Sequence, residues 1–156
     1  MKQKKEAIFR LATPSDLDTV VALMREYFVY GHLKSDTRGA EKAVKNLLGN
    51  ESLGFVWLIE EDKHPVGYFI VTIGYSLEFN GKCAFLDQLH ISAGFRGRGI
   101  GKQVLGFVHD FCASQGVRAL RVEVEHANIH AQNLYRKSGF KEHTRTIMSK
   151  WLDDSR

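Results

Sequence analysis

The first third of the chain shows one short extended segment followed by two segments with helical spacing. Residues Ile8 to Ala12 predict a strand. The following Thr13-Pro14-Ser15-Asp16 predicts a helix start, because it offers a capping threonine, a proline at the first helical position and an acid at the third. Helical spacing continues through the apolar residues Leu17, Val20, Val21, Met24 and Phe28. A second helix is predicted from about Arg38 to Leu48.

The middle of the chain is rich in β-branched and aromatic residues and predicts antiparallel strands. Phe55 to Glu60 and Val66 to Tyr75 are expected to pair across a polar turn. Asn80-Gly81 predicts a second hairpin turn, because Asn-Gly accepts positive φ at both positions. This turn would join Tyr75 to Phe79 with Ala84 to Ile91. The pattern therefore predicts a three-stranded meander.

A glycine-rich loop then leads from the last of these strands into a helix and a further strand, in the order of a βαβ unit. The helix is predicted by the spacing of Ile100, Val104, Phe107, Val108 and Phe111. Gly116 is expected at its end, and the next strand runs from Ala119 to Glu125. Because such a connection is right-handed and joins parallel strands, the sheet is predicted to be mixed.

The last part of the chain predicts a short helix and two further extended segments. Asn128 is expected to cap the helix, which Gly139 ends. Phe140 to His143 is strand-like, and a last strand is expected from about Thr144 to Trp151. The whole pattern predicts one α/β domain over residues 1–156, with a mixed sheet of about seven strands and four helices.

Composition narrows the class of protein. With 156 residues, 44% of them hydrophobic and only two prolines, the chain is expected to bury one core. Lys and Arg are scattered among 18 acids, which argues against a nucleic-acid partner despite the net charge of +4. The longest apolar run, Val66 to Tyr75, is too short to span a membrane. No apolar leader follows the basic start. Cys83 and Cys112 form no CxxC pair. A cytoplasmic protein without a metal site is therefore expected.

One loop carries a strong anion-binding signal. Its seven residues combine three glycines with three cations: Arg96, Gly97, Arg98, Gly99, Ile100, Gly101 and Lys102. Between a strand and a helix, such glycines let several backbone N–H groups and the helix N-terminus converge on a phosphate. A plain tight turn is the alternative. The spacing is neither GxGxxG nor a Walker loop, although Glu123 lies where a ribose-binding acid would stand, so a dinucleotide remains a minor alternative.

From Phe85 to Phe140 the sequence resembles the GNAT superfamily of N-acetyltransferases. Arg96 to Gly101 fits its R/Q-x-x-G-x-G/A signature, and Asn128 to Phe140 is similar to its N-x-x-A-x-x-L-Y-x-x-x-G-F segment. The two motifs stand in the family's order and cover about a third of the chain. The resemblance implies a GNAT-like fold, in which an antiparallel meander joins a βαβ unit.

The resemblance also implies acetyl-coenzyme A as the acetyl donor. The Arg96 to Lys102 loop would hold its pyrophosphate, and Asn128 would contact the cofactor arm. Leu89 and Ile91 would pair with the pantetheine arm through their backbone, with the N–H of Leu89 polarising the thioester carbonyl. Tyr135 matches the family tyrosine that protonates the departing thiolate; an ordinary core tyrosine is the alternative.

The general base and the acceptor pocket are less sharply indicated. Asp87 occupies the strand position where some GNAT relatives carry a glutamate base, and Glu123, Glu125 and His90 are its rivals. By resemblance, Tyr27 and Tyr30 border the acceptor pocket. The identity of the amine, whether small molecule or protein, stays open, and the family often forms homodimers.

Two functional hypotheses follow. The first is direct transfer of an acetyl group to a primary amine in a ternary complex. The second is a module that binds coenzyme A as a sensor or docks a partner without catalysis.

Overall fold

The computed structural model describes residues 6–33 and 36–152; the basic start at residues 1–5 lies outside them. Five strands and four helices are found in this part of the chain. In chain order they are β1 Ile8–Leu11, α1 Leu17–Tyr30, α2 Thr37–Leu48, β2 Gly54–Glu61, β3 His64–Ser76, β4 Gly81–Ile91, α3 Ile100–Ser114, β5 Ala119–Val122 and α4 Ile129–Lys137.

All five strands form one sheet in the order β1-β2-β3-β4-β5. The first four pair antiparallel, and β5 pairs parallel to β4. This arrangement confirms the predicted meander and the βαβ unit. The β4–β5 ladder is short, since only Cys83–Leu86 of β4 has partners on β5.

The two hairpins differ from the sequence prediction in their turns. The β2–β3 turn contains only Asp62 and Lys63, with φ values of 52° and 64°, the left-handed pair that a tight hairpin requires. The β3–β4 loop contains residues 77–80, because Ser76 pairs with Gly81. Asn80 has the expected positive φ of 56°. It ends a four-residue loop, however, and does not begin a two-residue turn.

Each face of the sheet carries its own core. On one face α3 packs on a buried cluster that includes Trp57, Phe69 and Val104. Edge-to-face contacts with Phe107 and Phe111 extend this cluster, with ring centroids 5.5 Å and 4.6 Å from that of Trp57. On the other face, α1 and α2 cover a second buried cluster: Ala12, Val20, Leu23, Met24, Val44, Val56, Leu58, Tyr68 and Ile70. Burial of both faces fixes the strand register.

The helix boundaries follow the local signals. Pro14–Asp16 forms a 3-10 turn ahead of α1, and the carboxylate of Asp36 accepts from the N–H of Arg38 at the start of α2. α3 ends just before Gly116, whose φ of 70° suits glycine. No helix in residues 6–33 and 36–152 is long and apolar enough to cross a membrane.

The C-terminal strand predictions were wrong. No residue from 140 to 152 lies in a strand, and residues 141–152 are exposed. Without burial, the few β-branched residues of this segment gain too little to offset the entropy of ordering an extended backbone. Phe140 packs against Tyr135 instead, with ring centroids 5.6 Å apart. Arg145 forms an ion pair with Glu78, N–O 2.6 Å. The sheet therefore has five described strands, not seven.

Candidate active site

A β-bulge divides strand β4. Ile70 of β3 pairs with Gln88 and Val71 pairs with Leu86, so Asp87 between them is the extra residue of the bulge. A bulge bends its strand and redirects side chains. The bulge at Asp87 directly follows Leu86, which forms the last β4–β5 pair with Val122. From Asp87 onward, β4 and β5 separate.

Within residues 6–33 and 36–152, the separated part of β4 has no strand partner on one edge. The N–H of Ser92 donates to the carbonyl of Val66 at 2.9 Å, which makes Ile91 a non-hydrogen-bonded partner of Gly67. Leu89, two residues earlier, has the same status opposite Phe69. The backbone groups of Leu89 and Ile91 therefore point away from β3, toward the side that β5 has left. The carbonyl of Ile91 accepts from Nε of Arg96 at 2.7 Å.

The glycine-rich loop curls at the start of α3. Gly97 and Gly99 have φ values of 74° and 83°, a conformation that other residues rarely adopt. The N–H of Gln103 donates to the carbonyl of Gly99 at 3.2 Å. Backbone N–H groups in the preceding first turn have no intrahelical acceptor and carry the positive end of the helix dipole. The loop thus lies at the positive end of the α3 dipole.

The loop cations do not all face the same way. Arg96 and Lys102 line the cavity beside the loop. Arg98, also predicted to hold the anion, is not among the lining residues. Its guanidinium donates to the carbonyl of Gly94 at 2.7 Å and pairs with Glu61 at 3.2 Å. The structure thus divides the three predicted cations into two at the cavity and one engaged elsewhere.

A cavity of about 620 Å³ connects the loop with the open edge of β4. Its size is in the range of small-molecule and cofactor sites. Apart from Arg98, every predicted site residue lines it: Tyr27, Tyr30, Asp87, Leu89, Ile91, Arg96, Gly97, Gly99, Ile100, Gly101, Lys102, Glu123, Glu125, Asn128 and Tyr135. Residues from six different elements and loops therefore meet in one place.

Helix α4 presents Asn128 and Tyr135 to this cavity. The side-chain oxygen of Asn128 accepts from the N–H of Ala131 at 3.1 Å, which confirms the predicted cap. Burial, with a smaller contribution from Tyr27, raises the pKa of the Tyr135 phenol. Tyr135 is therefore protonated at neutral pH and can donate a proton.

One part of the cavity lining is acidic. Asp87, Glu123 and Glu125 line it together with Tyr27. The Asp87 side chain opens into the cavity, yet the surrounding protein and, to a lesser extent, Glu123 raise its pKa. Burial, followed by the negative charges of Asp87 and Glu125, raises the pKa of Tyr27. A positive group entering this end would meet several carboxylates.

The sequence profile of the Acetyltransferase (GNAT) family matches residues 17–140. The chain belongs to this family. The match extends from the first residue of α1 to Phe140, so it covers every strand except β1. The acetyltransferase assignment suggested by the two motifs is therefore confirmed.

Known proteins similar to this acetyltransferase cover most of its length. An uncharacterized N-acetyltransferase, YhfO of Bacillus subtilis, is 27% identical over 135 residues, which are 86% of this chain and 90% of that protein. Thialysine N-epsilon-acetyltransferase of Bos taurus is 25% identical over 146 residues, 88% and 85% of the two chains. An integron cassette protein, HFX_CASS3, from the Cole Harbour Salt Marsh metagenome has 34% identity and a TM-score of 0.83, covering 93% and 90%.

Sequence reasoning missed some residues that line the cavity or pack beside it. His130, Asn133 and Lys137 of α4 also line the cavity, and their spacing of three and four residues could have placed them on one helical face. Glu26 of α1 contacts His90 and Ser92, more than 60 positions later. No local pattern indicates a contact so distant in sequence.

Proposed function

We propose that this GNAT acetyltransferase transfers the acetyl group of acetyl-coenzyme A to a primary amine by direct attack in a ternary complex. One observation carries the proposal: the anion-binding loop, the open edge of β4, Asp87 and Tyr135 all border a single cavity. Direct transfer requires both reactants to be held side by side, and a shared cavity provides that arrangement.

The residues present fit the coenzyme. Gly97 and Gly99 let the loop backbone face the pyrophosphate, and Arg96 and Lys102 add positive charge. The outward backbone groups of Leu89 and Ile91 suit an extended amide-containing arm, as a sheet edge suits an added strand. When bound, acetyl-coenzyme A supplies an acetyl group activated as a thioester.

Asp87 is proposed to remove a proton from the acceptor. An alkylammonium with a pKa near ~10 has no free lone pair at neutral pH, so a base must act before the nitrogen attacks. The raised pKa of Asp87 makes it a stronger base than an ordinary carboxylate. Its position in the bulge directs it into the cavity.

Leu89 and Tyr135 are proposed to stabilise the charges that develop on the thioester. The N–H of Leu89 would donate to the acetyl oxygen. As the new N–C bond forms and the C–S bond breaks, Tyr135 would give its proton to the departing sulfur. Two protons leave the amine in all: Asp87 takes the first before the attack and passes it to solvent, and the second leaves the nitrogen as the amide forms and replaces the proton that Tyr135 gives to the sulfur.

The acceptor is proposed to be a small cationic amine. The acidic lining formed by Asp87, Glu123 and Glu125 favours a positively charged molecule over a neutral or anionic one. The similarity to a thialysine N-epsilon-acetyltransferase supports an acceptor with an amine on a flexible chain. Diamines and diamino acids are therefore the first compounds to test.

Calorimetric titration with acetyl-coenzyme A and, separately, NAD tests the proposal, followed by thiol-release assays over a panel of amines. We expect acetyl-coenzyme A to bind, NAD not to bind, and thiol to be released fastest with cationic amines. Binding without release on any amine would favour the sensor hypothesis. Failure of acetyl-coenzyme A to bind would contradict the proposal.

A further inference from the structure

Side-chain contacts connect the C-terminal half of α1 to the end of β4 and the segment after it. The proposed reaction does not use these contacts. The Nε2 of His90 donates to Oε2 of Glu26 at 3.1 Å, and the Ser92 hydroxyl donates to the same oxygen at 2.7 Å. One helical turn further, the Arg96 guanidinium lies 3.8 Å from the centroid of the Tyr30 ring. Glu26 thus joins α1 to His90 in β4 and to Ser92, the residue that follows β4.

His90 needs a partner of this kind. It is buried, with 3% of its surface exposed, and lies beside the rings of Tyr27 and Tyr68, with centroids 6.3 Å and 6.0 Å away. Burial lowers the pKa of His90, so the imidazole is neutral and its Nε2–H requires an acceptor. The Glu26 side chain, 51% exposed, reaches in from the surface to accept it. The cost of burying the carboxylate is largely avoided.

The residues that Glu26 joins flank both halves of the site. On α1, Tyr27 follows Glu26 directly and Tyr30 lies one turn later, and both line the acceptor side of the cavity. On β4, His90 stands between Leu89 and Ile91, whose backbone groups face the open edge. Glu26 is not among the cavity-lining residues. Its contacts therefore reach the chemistry through other residues.

We propose that Glu26 is a positioning residue that sets the acceptor wall of α1 at a fixed distance from the thioester edge of β4. This inference rests on the proposed function, because it assigns the acceptor to α1 and the thioester to β4. A single carboxylate oxygen receives both hydrogen bonds, so position depends on an acceptor atom and not on negative charge. Glutamine retains such an atom, whereas alanine does not.

Two variants and a control separate positioning from general stability. Glu26→Ala is expected to raise the amine KM about tenfold and to lower kcat, because misplacement of one reactant weakens an oriented reaction. The Kd of acetyl-coenzyme A should stay within about threefold, since the loop and β4 edge remain. Glu26→Gln should restore the amine KM to within about threefold of wild type. Glu41→Ala removes an exposed acid from α2 and should change none of these values.

Hydrogen exchange provides a second readout that does not depend on activity. Glu26→Ala should speed exchange in residues 27–31 and 92–96, and Glu26→Gln should not. Equal exchange and equal amine KM in Glu26→Ala and wild type would overturn the proposal, as would faster exchange without a change in KM. If the wild-type protein transfers no acetyl group, the proposed function fails. Unchanged hydrogen exchange in Glu26→Ala would then separately show that Glu26 does not hold α1 against β4.

Discussion

The two halves of strand β4 have the same neighbour on one side and different surroundings on the other. From Cys83 to Leu86 the strand is paired with both β3 and β5, and its residues belong largely to the core. After the bulge at Asp87, residues Gln88 to Ile91 pair with β3 alone among the described strands. The first half contributes stability, and the second borders the cavity together with the glycine-rich loop.

The difference shows how one strand can belong to the core and also border a cavity. One extra residue at Asp87 bends β4 away from β5, and the following backbone groups are left without a strand partner. An unpaired edge invites an extended ligand. In the proposed function, the glycine-rich loop after the same strand would hold the charged end of that ligand.

The largest effect is expected from Tyr135→Phe. This change keeps the aromatic ring and removes the proposed proton donor, which borders the same cavity as the second half of β4. We expect kcat to fall by about 10²-fold, the typical contribution of a general acid, with little change in the Kd of acetyl-coenzyme A. Tyr75→Phe is the control, because Tyr75 is 74% exposed and outside the cavity lining. Steady-state thiol release checks both; equal turnover of Tyr135→Phe and wild type would exclude the proton-donor role.

A loss of about 30- to 100-fold in kcat/KM is expected from Asp87→Asn. Asp87 is the bulge residue at which the two halves of β4 meet. The wild-type rate should rise with pH as Asp87 loses its proton, and burial moves this step above the usual carboxyl pKa of 3.8. In the variant this limb should vanish, leaving only the rise toward the acceptor's own pKa near ~10. A pH profile that keeps the limb would assign the base to another group.

A smaller effect is expected from Gly99→Ala, which strains the backbone of the glycine-rich loop after β4. With φ at 83°, an alanine here costs about 1–2 kcal/mol and displaces the loop backbone. The Kd of acetyl-coenzyme A should rise about tenfold in calorimetry. Gly106→Ala in the middle of α3 is the matched control, because nothing lies within 4 Å of its added Cβ. That variant should bind normally and gain about 0.5–1 kcal/mol of stability.

The smallest effect on turnover is expected from Val71→Ala. Val71 lies on β3 and pairs with the first half of β4, which is paired on both sides. Val71 is fully buried and pairs with Leu86. Loss of two methyl groups should lower the free energy of unfolding by about 2 kcal/mol. The expected outcome is a lower midpoint in urea denaturation, while kcat at 25 °C stays within about twofold because the open edge is untouched. A large loss of kcat would show that the halves are not separable.

Features set by neighbouring residues were predictable from sequence. The cap at Asn128, the curled backbone of the glycine-rich loop and the apolar spacing of α3 depend on a few consecutive positions, and the structure has all of them. The family motifs are equally local. Together they located most of the cavity lining before any long-range contact was known.

Features set by distant pairing were not predictable. The bulge at Asp87 depends on the register between β3 and β4, and the direction of Arg98 depends on Glu61, 37 positions away. Residues 140–152 carry strand-forming residues, yet whether they form strands depends on a paired edge that sequence alone does not reveal.

Hydrogen exchange of the β4 backbone, measured with and without acetyl-coenzyme A, tests the central claim most directly. The N–H groups of Leu89 and Ile91 should exchange rapidly in the free protein and become protected when the coenzyme binds, because their outward edge gains a partner. Those of Ala84 and Leu86, in the doubly paired half, should be protected in both states. Binding that leaves Leu89 and Ile91 unprotected would contradict the account.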